Sequence, residues 1–290
     1  MEERLTTDDE SLLMSSIRTG TPLAPARRQE FVANTRGLLA HARSYLETCH
    51  LLADRCLADI APYDAKAGPE WKAGVVEEIQ WWWTHINTLQ RQGRLQTWAG
   101  FRARPFPFEA ALTDVPGPLR VLNIGCGPRS LMGEETGRQV EFVHMDPLAA
   151  AYNRMMAFLD APGGGDVVFG AVELLDRLDV GRFHAISAKN CLDHAYDVLA
   201  GLRQMIGCLE DRGLIQLGHY ENEAEAQGYA GFHQWNIEVC EGRIHVWSKS
   251  VSEQFDHEAF GFEMAVERSV VTKGNGQTHP FLEITLSRGL

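Results

Sequence analysis

The stretch VLNIGCGPRS (121–130) decides the fold. Its apolar first half has the composition of a buried strand, and two glycines and a proline end that strand. Residues 130–137 then predict a helix. A strand that runs through a glycine turn into a helix presents backbone N–H groups and the positive end of the helix to a ligand. We therefore expect a ligand to lie close to Gly125 and Gly127.

Strands and helices alternate on the C-terminal side of residue 113. Strands are predicted at 119–124, 140–145, 166–169, 183–187 and 214–218, and helices at 149–159, 172–178 and 192–209. This alternation is typical of a parallel sheet covered on both faces. Further on, 243–248 predicts a strand and 252–260 a helix, and the strands 263–271 and 281–287 flank an Asn-Gly turn, which predicts an antiparallel hairpin. The predicted class is α/β, a mixed sheet of about seven strands.

The N-terminal third has a different pattern. After a polar lead at 1–30, apolar residues recur at intervals of three and four over 31–60 and again over 69–93, which predicts two long helices. Pro105 and Pro107 end this helical part. We predict a helical cap or lid at 1–112 and a ligand-binding domain at 113–290. The consecutive tryptophans 81–83 cannot share one helix face, so at least one should point away from the helical core.

Composition excludes several classes of partner. The chain has 27 Lys plus Arg against 39 Asp plus Glu, a net charge of −12, so nucleic acid is not expected. An acidic N-terminus and the lack of a long apolar run predict a cytoplasmic protein without a membrane partner. The six cysteines are dispersed, so we expect neither disulfides nor a metal. A homodimer through the helical part stays open.

Asp146 strengthens the ligand interpretation. It ends the second predicted strand, 21 positions after Gly125, where an acidic side chain can accept both hydroxyls of a ribose. A dinucleotide site would need a third glycine near position 130, where this chain has Ser130. The pattern favours an adenosine-containing ligand over NAD or FAD.

VLNIGCGP, the strand-ending Asp146 and the C-terminal hairpin together resemble the class I S-adenosylmethionine-dependent methyltransferases, whose fold is Rossmann-like. The resemblance covers about 115–290 and implies S-adenosyl-L-methionine as the cofactor. It implies roles for nine residues: the methionine part near Gly125, Gly127 and Asn190, the ribose at Asp146 and Pro147, the adenine beside Ala171, Val172 and Glu173, and the loop anchored by Asn123. Asn123 and Ala171 stand where family members often have an acidic residue.

Candidate catalytic residues follow the fourth and fifth predicted strands, because open α/β sheets bind ligands at the carboxyl ends of their strands. They are His194, His219, Tyr220 and His233. Histidine is suited to accept a proton near neutral pH, and at least one of the three is expected to contact substrate. Asp193 is interpreted as the cap of the helix predicted to begin there.

Three functions remain open from the sequence. The first is methyl transfer from S-adenosylmethionine to a small-molecule acceptor in a biosynthetic pathway. The second is a reaction at the aminocarboxypropyl arm of the same cofactor, including ring closure to azetidine-2-carboxylate with release of methylthioadenosine. The third is a binding module for an adenosine ligand that has no catalytic activity.

Overall fold

The computed structural model describes residues 46–61, 69–95, 100–158, 166–272 and 276–288. The chain divides into two compact units, 1–51 and 52–290. In the first unit the described residues, 46–51, are helical. Both sheets, the helices after residue 69 and the cavity belong to the second unit. The predicted lead at 1–30, the predicted helix before residue 46 and the turn residues 273–275 lie outside the described residues, and the boundary at 112/113 stays a prediction.

The structure gives the bounds of four α-helices, α2 to α5, and describes residues 46–60 of α1. α2 begins at Pro69, as expected for a proline that fits the first turn, and its buried residues Trp71, Val75, Ile79 and Ile86 lie on one face at intervals of four and seven. No helix among the described residues is long and apolar enough to cross a membrane. The helices are α1 (described over 46–60), α2 (Pro69–Arg91), α3 (Ala149–Phe158), α4 (Val198–Gly207) and α5 (Glu223–Ala226).

The predicted mixed seven-stranded sheet is confirmed. The strands are β1 (Leu119–Ile124), β2 (Val140–Asp146), β3 (Val168–Phe169), β4 (Phe183–Lys189), β5 (Leu209–Tyr220), β9 (Glu263–Thr272) and β10 (Thr278–Ser287). Their order in the sheet is β3-β2-β1-β4-β5-β10-β9; the first five strands are parallel, and β10 runs antiparallel to both of its neighbours.

A second, three-stranded antiparallel sheet lies between β5 and β9 in the sequence. It contains β6 (Asn236–Cys240), β7 (Arg243–Trp247) and β8 (Ser252–Phe255), in that order. The predicted helix at 252–260 is wrong, because Ser252–Phe255 pairs with the free edge of β7 and only Glu258–Phe260 forms a short 3-10 turn. This small sheet packs on the core of the large one through Ile237, Ile244 and Val246.

The central strands are buried on both faces, as a covered parallel sheet requires. One face packs against α4, whose buried residues include Leu202 and Met205. The other face packs against Phe106 and Phe108, from the segment after the two helices. These two layers fix the positions of β1 and β4. They therefore also fix the points at which the loops after these two strands begin.

The predicted helix at 130–137 is also wrong, since the chain there is irregular. Its backbone pairs instead with the segment 102–106: Phe106 N donates to Glu135 O at 2.9 Å, and Glu135 N donates to Arg104 O at 3.0 Å. Gly133 permits this approach, because a Cβ there would lie 2.3 Å from Pro105 O. Contacts with a distant segment thus satisfy backbone groups that a helix would have paired internally.

Two further predicted helices are shorter than expected. The helix at 172–178 reduces to a 3-10 turn at Val172–Leu174, and the helix at 192–209 splits into a 3-10 turn at Leu192–His194 followed by α4. Asp193 does not cap α4, so that interpretation is wrong. Asp197 is the cap, and its side chain accepts a hydrogen bond from Ala200 N at 2.9 Å.

The central position of β4 gives a stability prediction. Ile186 on β4 is fully buried, and Ile186→Ala should lower the free energy of unfolding by about 2–5 kcal/mol because it removes apolar contacts and leaves a cavity. Urea unfolding monitored by circular dichroism measures this. Val270→Ala on β9, where the side chain is 70% exposed, is the control and should change stability by less than about 0.5 kcal/mol. Equal losses in both variants would contradict the assigned core.

Candidate active site

A cavity of about 580 Å³ lies at the carboxyl ends of β1, β2, β4 and β5, with α2 along one side. This volume is within the range of small-molecule sites. Eleven of the thirteen predicted site residues line it: Gly125, Gly127, Asp146, Pro147, Ala171, Val172, Glu173, Asn190, His194, Tyr220 and His233.

The glycine turn forms one wall of the cavity. Gly125 and Gly127 have φ of +59° and +66°, a backbone region that favours glycine. A Cβ on Gly125 would lie 2.3 Å from the Cβ of Cys191, and one on Gly127 would lie 3.0 Å from the Trp82 ring. Both positions therefore need glycine for conformation and for space. No helix follows the turn, so it offers a ligand close approach to its backbone but no helix dipole.

Asp146 lies at the end of β2, and its buried carboxylate links this turn to the next loop. Oδ2 accepts a hydrogen bond from Gly127 N at 3.0 Å, and Oδ1 accepts one from Leu148 N at 2.8 Å. Burial, with a smaller contribution from the nearby Glu78 carboxylate, raises the pKa of Asp146 to about 7, although both N–H groups favour the charged form. A group that offers hydroxyl donors to this carboxylate would therefore be bound strongly.

Glu173 is buried in the wall that β3 leads into. Its Oε1 accepts hydrogen bonds from Tyr196 N at 2.8 Å and Asp197 N at 3.1 Å. Burial raises the pKa of Glu173 to about 7, against the lowering effect of those N–H donors. This oxygen holds the turn before α4. The neighbouring Ala171 presents only a methyl group to the cavity.

Asn123 and Asn190 act on the backbone around the cavity. Asn123 does not line it; its Nδ2 donates to Ser130 Oγ at 2.9 Å, and this bond anchors the far side of the glycine turn. Asn190 has a φ of +52°, which asparagine tolerates better than most residues, and its N–H donates to Gly218 O at 2.6 Å. That bond ties the ends of β4 and β5 together.

Asp193, His194 and His233 converge at the β4 and β5 side of the cavity. Asp193 Oδ2 lies 2.6 Å from His233 Nδ1 and 3.4 Å from His194 Nε2, and the two nitrogens are 3.3 Å apart. Burial alone would raise the pKa of Asp193, but the adjacent imidazoles lower it to about 2. Burial would lower the pKa of His233, and the hydrogen bond to Asp193 raises it above its usual value.

His219 and Tyr220 end β5 in different environments. His219 is buried and does not line the cavity, and burial lowers its pKa to about 4, so the ring is neutral. The Tyr220 ring lines the cavity and packs edge-on against Phe281, with centroids 5.2 Å apart. The predicted catalytic role of His219 stays a prediction.

α2 contributes residues to the cavity for which the sequence patterns predicted no specific contact. Trp82 Nε1 donates to Glu78 Oε1 at 2.8 Å, one helical turn away, and Trp71 Nε1 donates to His194 O at 2.7 Å. The Trp71 ring also stacks on Phe232 with centroids 5.2 Å apart. The run of tryptophans was the available signal, and Trp81, which is 54% exposed, is the one that points away from the core.

No family model matches the chain, and no curated protein matches it. Solved structures with a similar fold include a S-adenosylmethionine-dependent methyltransferase from Clostridium acetobutylicum (9% identity, 71% of this chain and 98% of that one, TM-score 0.39). The CurJ carbon methyltransferase is 13% identical over 82% of this chain and 70% of that one, with a TM-score of 0.41. The DszA carbon methyltransferase is 14% identical over 63% of this chain and 51% of that one, also with a TM-score of 0.41. The strand order described above, not these values, defines the fold.

The buried Glu173 predicts a pH-dependent stability difference. Its pKa is about 7 in the folded chain and 4.5 ordinarily, so between these values the folded chain holds a proton that the unfolded chain has lost. The free energy of unfolding contributed by Glu173 therefore falls as pH rises from 4.5 to 7. The free energy of unfolding of Glu173→Gln relative to that of the wild type should rise by about 2 kcal/mol between pH 5 and pH 8. Urea unfolding at the two pH values measures this.

Asp197, whose charge also raises this pKa, is unchanged in the variant. Glu263→Gln on the exposed β9 serves as the control, with the same small effect at both pH values. A Glu173→Gln difference that is independent of pH would show that Glu173 ionises normally in the folded chain.

Proposed function

We propose that this protein is an S-adenosylmethionine-dependent methyltransferase that acts on a small-molecule acceptor in a biosynthetic pathway. The observation that carries the proposal is the buried Asp146 carboxylate at the end of β2, bonded to Gly127 N–H on the wall of the cavity. This is the position from which an acidic side chain accepts ribose hydroxyls in Rossmann-like sheets.

The cavity fits the proposed cofactor in shape and in charge. The glycine turn leaves room for close approach to its backbone, and the apolar side chains of Ala171 and Val172 suit an adenine ring. The lining residues include the carboxylates of Glu78, Asp146, Glu173 and Glu223, and no lysine or arginine is among the described residues that line it. An acidic, partly desolvated cavity favours a cationic ligand. S-adenosylmethionine supplies a methyl group on a positively charged sulfur.

The residues of this chain would position the acceptor and exclude water from the reacting groups. Methyl transfer is an in-line displacement, for which holding the acceptor near attack distance provides most of the acceleration. Trp71 and Trp82 on α2 line one side of the cavity and would limit the access of water to a bound cofactor. His194, His233 and Tyr220 line the side reached from β4 and β5, where the acceptor would lie. A cavity of this size suits a small acceptor better than a polymer.

The product formed distinguishes methyl transfer from its alternatives. Purified protein incubated with S-adenosylmethionine and a panel of small acceptors should release S-adenosylhomocysteine only when an acceptor is present, as measured by mass spectrometry. Formation of methylthioadenosine without an acceptor would contradict methyl transfer and would indicate a reaction at the aminocarboxypropyl arm. Cofactor binding without any product across the panel would favour the inactive binding module.

The proposed ribose contact is tested by Asp146→Asn. The substitution keeps the shape of the side chain but removes the charge that strengthens hydrogen bonds from ribose hydroxyls. The dissociation constant for S-adenosylhomocysteine, measured by calorimetry at pH 8, should rise at least about tenfold. Asp211→Asn, whose side chain is 92% exposed and far from the cavity lining, should leave it unchanged. Unaltered affinity in Asp146→Asn would place the ribose elsewhere.

A further inference from the structure

We propose that Asp193, His194 and His233 form a binding site for a divalent transition-metal ion of the zinc and iron class. The three side chains approach from two separate segments, the 3-10 turn after β4 and the loop before β6. The site departs from the sequence-based expectation that no metal is bound. It also goes beyond the proposed function, because ion binding requires no cofactor.

The distances among the three donor atoms match metal coordination. Asp193 Oδ2, His194 Nε2 and His233 Nδ1 form a triangle with sides of 2.6, 3.3 and 3.4 Å. An ion about 1 Å above the plane of this triangle would lie about 2.1 Å from each atom, which is the usual length of zinc bonds to imidazole nitrogen and carboxylate oxygen. Two imidazoles and one carboxylate are also a common ligand set for catalytic zinc and non-haem iron.

Hydrogen bonding alone explains this geometry less well. In a proton relay each imidazole uses one nitrogen for each partner, as when Nδ1 bonds a carboxylate and Nε2 bonds the next group. Here the same nitrogen of His233 faces both Asp193 Oδ2 and His194 Nε2, and the same nitrogen of His194 faces both other atoms. One proton cannot lie along three edges of a triangle, whereas one cation can accept a lone pair from every corner.

The buried environment of Asp193 is a second, independent observation. Asp193 is 3% exposed, and its Oδ1 is buried without a hydrogen-bond partner. A buried carboxylate oxygen without a donor is costly. A cation held by this carboxylate would repay part of that cost. The two imidazoles, by contrast, line the cavity, so an ion between them would keep open coordination positions facing a ligand.

The backbone around the three ligands is held rigidly. Gln234 N donates to Asp193 O at 3.1 Å, and Trp235 Nε1 donates to Ala195 O at 2.8 Å, so the two segments are joined directly on both sides of the donor atoms. Trp71 Nε1 on α2 donates to His194 O. Ligands fixed in this way lose little entropy on binding a metal, which is the usual design of a preformed site.

The ion would take an oxygen of the acceptor as an additional ligand, and this role rests on the proposed function. A bound transition metal polarises such an oxygen and orients the acceptor, and it can also lower the pKa of a bound hydroxyl. The site would therefore select acceptors that offer an oxygen ligand next to the reacting atom.

Metal binding can be measured without any turnover. The full chain, prepared without a polyhistidine tag and treated with EDTA, is mixed with Zn²⁺, passed through a desalting column and analysed by plasma mass spectrometry. We expect about one zinc per chain. Titration with Co²⁺ should produce visible absorption bands of a protein-bound ion, with the same stoichiometry.

Variants test the ligand assignment. His194→Gln, His233→Gln and Asp193→Asn should each weaken zinc binding at least about tenfold. His245→Gln is the matched control, because His245 also contacts a carboxylate, Glu238, at 2.9 Å, yet lies in the small sheet away from the cavity. Circular dichroism melting checks that each variant is folded; the two histidines are partly exposed, so their variants should fold even where Asp193→Asn does not. Retention of zinc by both histidine variants at the wild-type level would overturn the proposal, as would the absence of zinc and cobalt binding by the wild type.

Failure of this inference and failure of the proposed function give different results. S-adenosylhomocysteine binding, measured by calorimetry on the EDTA-treated wild type, does not depend on the ion. Binding of S-adenosylhomocysteine without binding of zinc or cobalt would overturn the metal site alone. Binding of zinc without binding of S-adenosylhomocysteine would support the metal site and overturn the proposed cofactor.

Discussion

A carboxylate removed from water must be given donors or positive charge, and this constraint shapes the functional edge of the sheet. Three buried carboxylates lie there: Asp146 is the last residue of β2, Glu173 follows β3 and Asp193 follows β4. Backbone N–H groups hold the first two, and imidazoles surround the third. Each carboxylate thereby fixes a different loop. The loops that form the walls of the cavity are therefore held in place by the hydrogen bonds and ionic contacts that these buried carboxylates require.

This arrangement costs stability in the absence of a ligand. The raised pKa of Asp146 and of Glu173 means that burial disfavours their charged forms in the folded chain. A site that is held in an unfavourable state and relieved by binding is the usual compromise between stability and function. Under the proposed function, a cationic ligand beside these carboxylates would recover part of that cost, so ligand binding should stabilise the fold more than its contact area suggests.

Local patterns predicted the parts of the molecule that local interactions determine. The glycine turn and the Asp146 position follow from two adjacent parallel strands, which align Ile124 with Met145. The helix expected at 130–137 failed because its backbone pairs with residues about 30 positions earlier, a contact that no short window contains. The contact between Asp193 and His233, which are 40 residues apart, could not be predicted for the same reason. Asp193 was interpreted as a helix cap because the local sequence does not distinguish it from Asp197, which is the actual cap.

The sheet order has a consequence for synthesis on the ribosome. In the seven-stranded sheet β9 has β10 as its only neighbour, and β10 also pairs with β5. The three strands of the small sheet lie between β5 and β9 in the sequence. β9 is therefore made before its only partner in this sheet, β10, and the edge of β5, which is made earlier still, also stays unpaired until β10 has emerged. The nascent chain has two unpaired strand edges at this stage, which are open to wrong pairing, and their closure by β10 completes the sheet in one step.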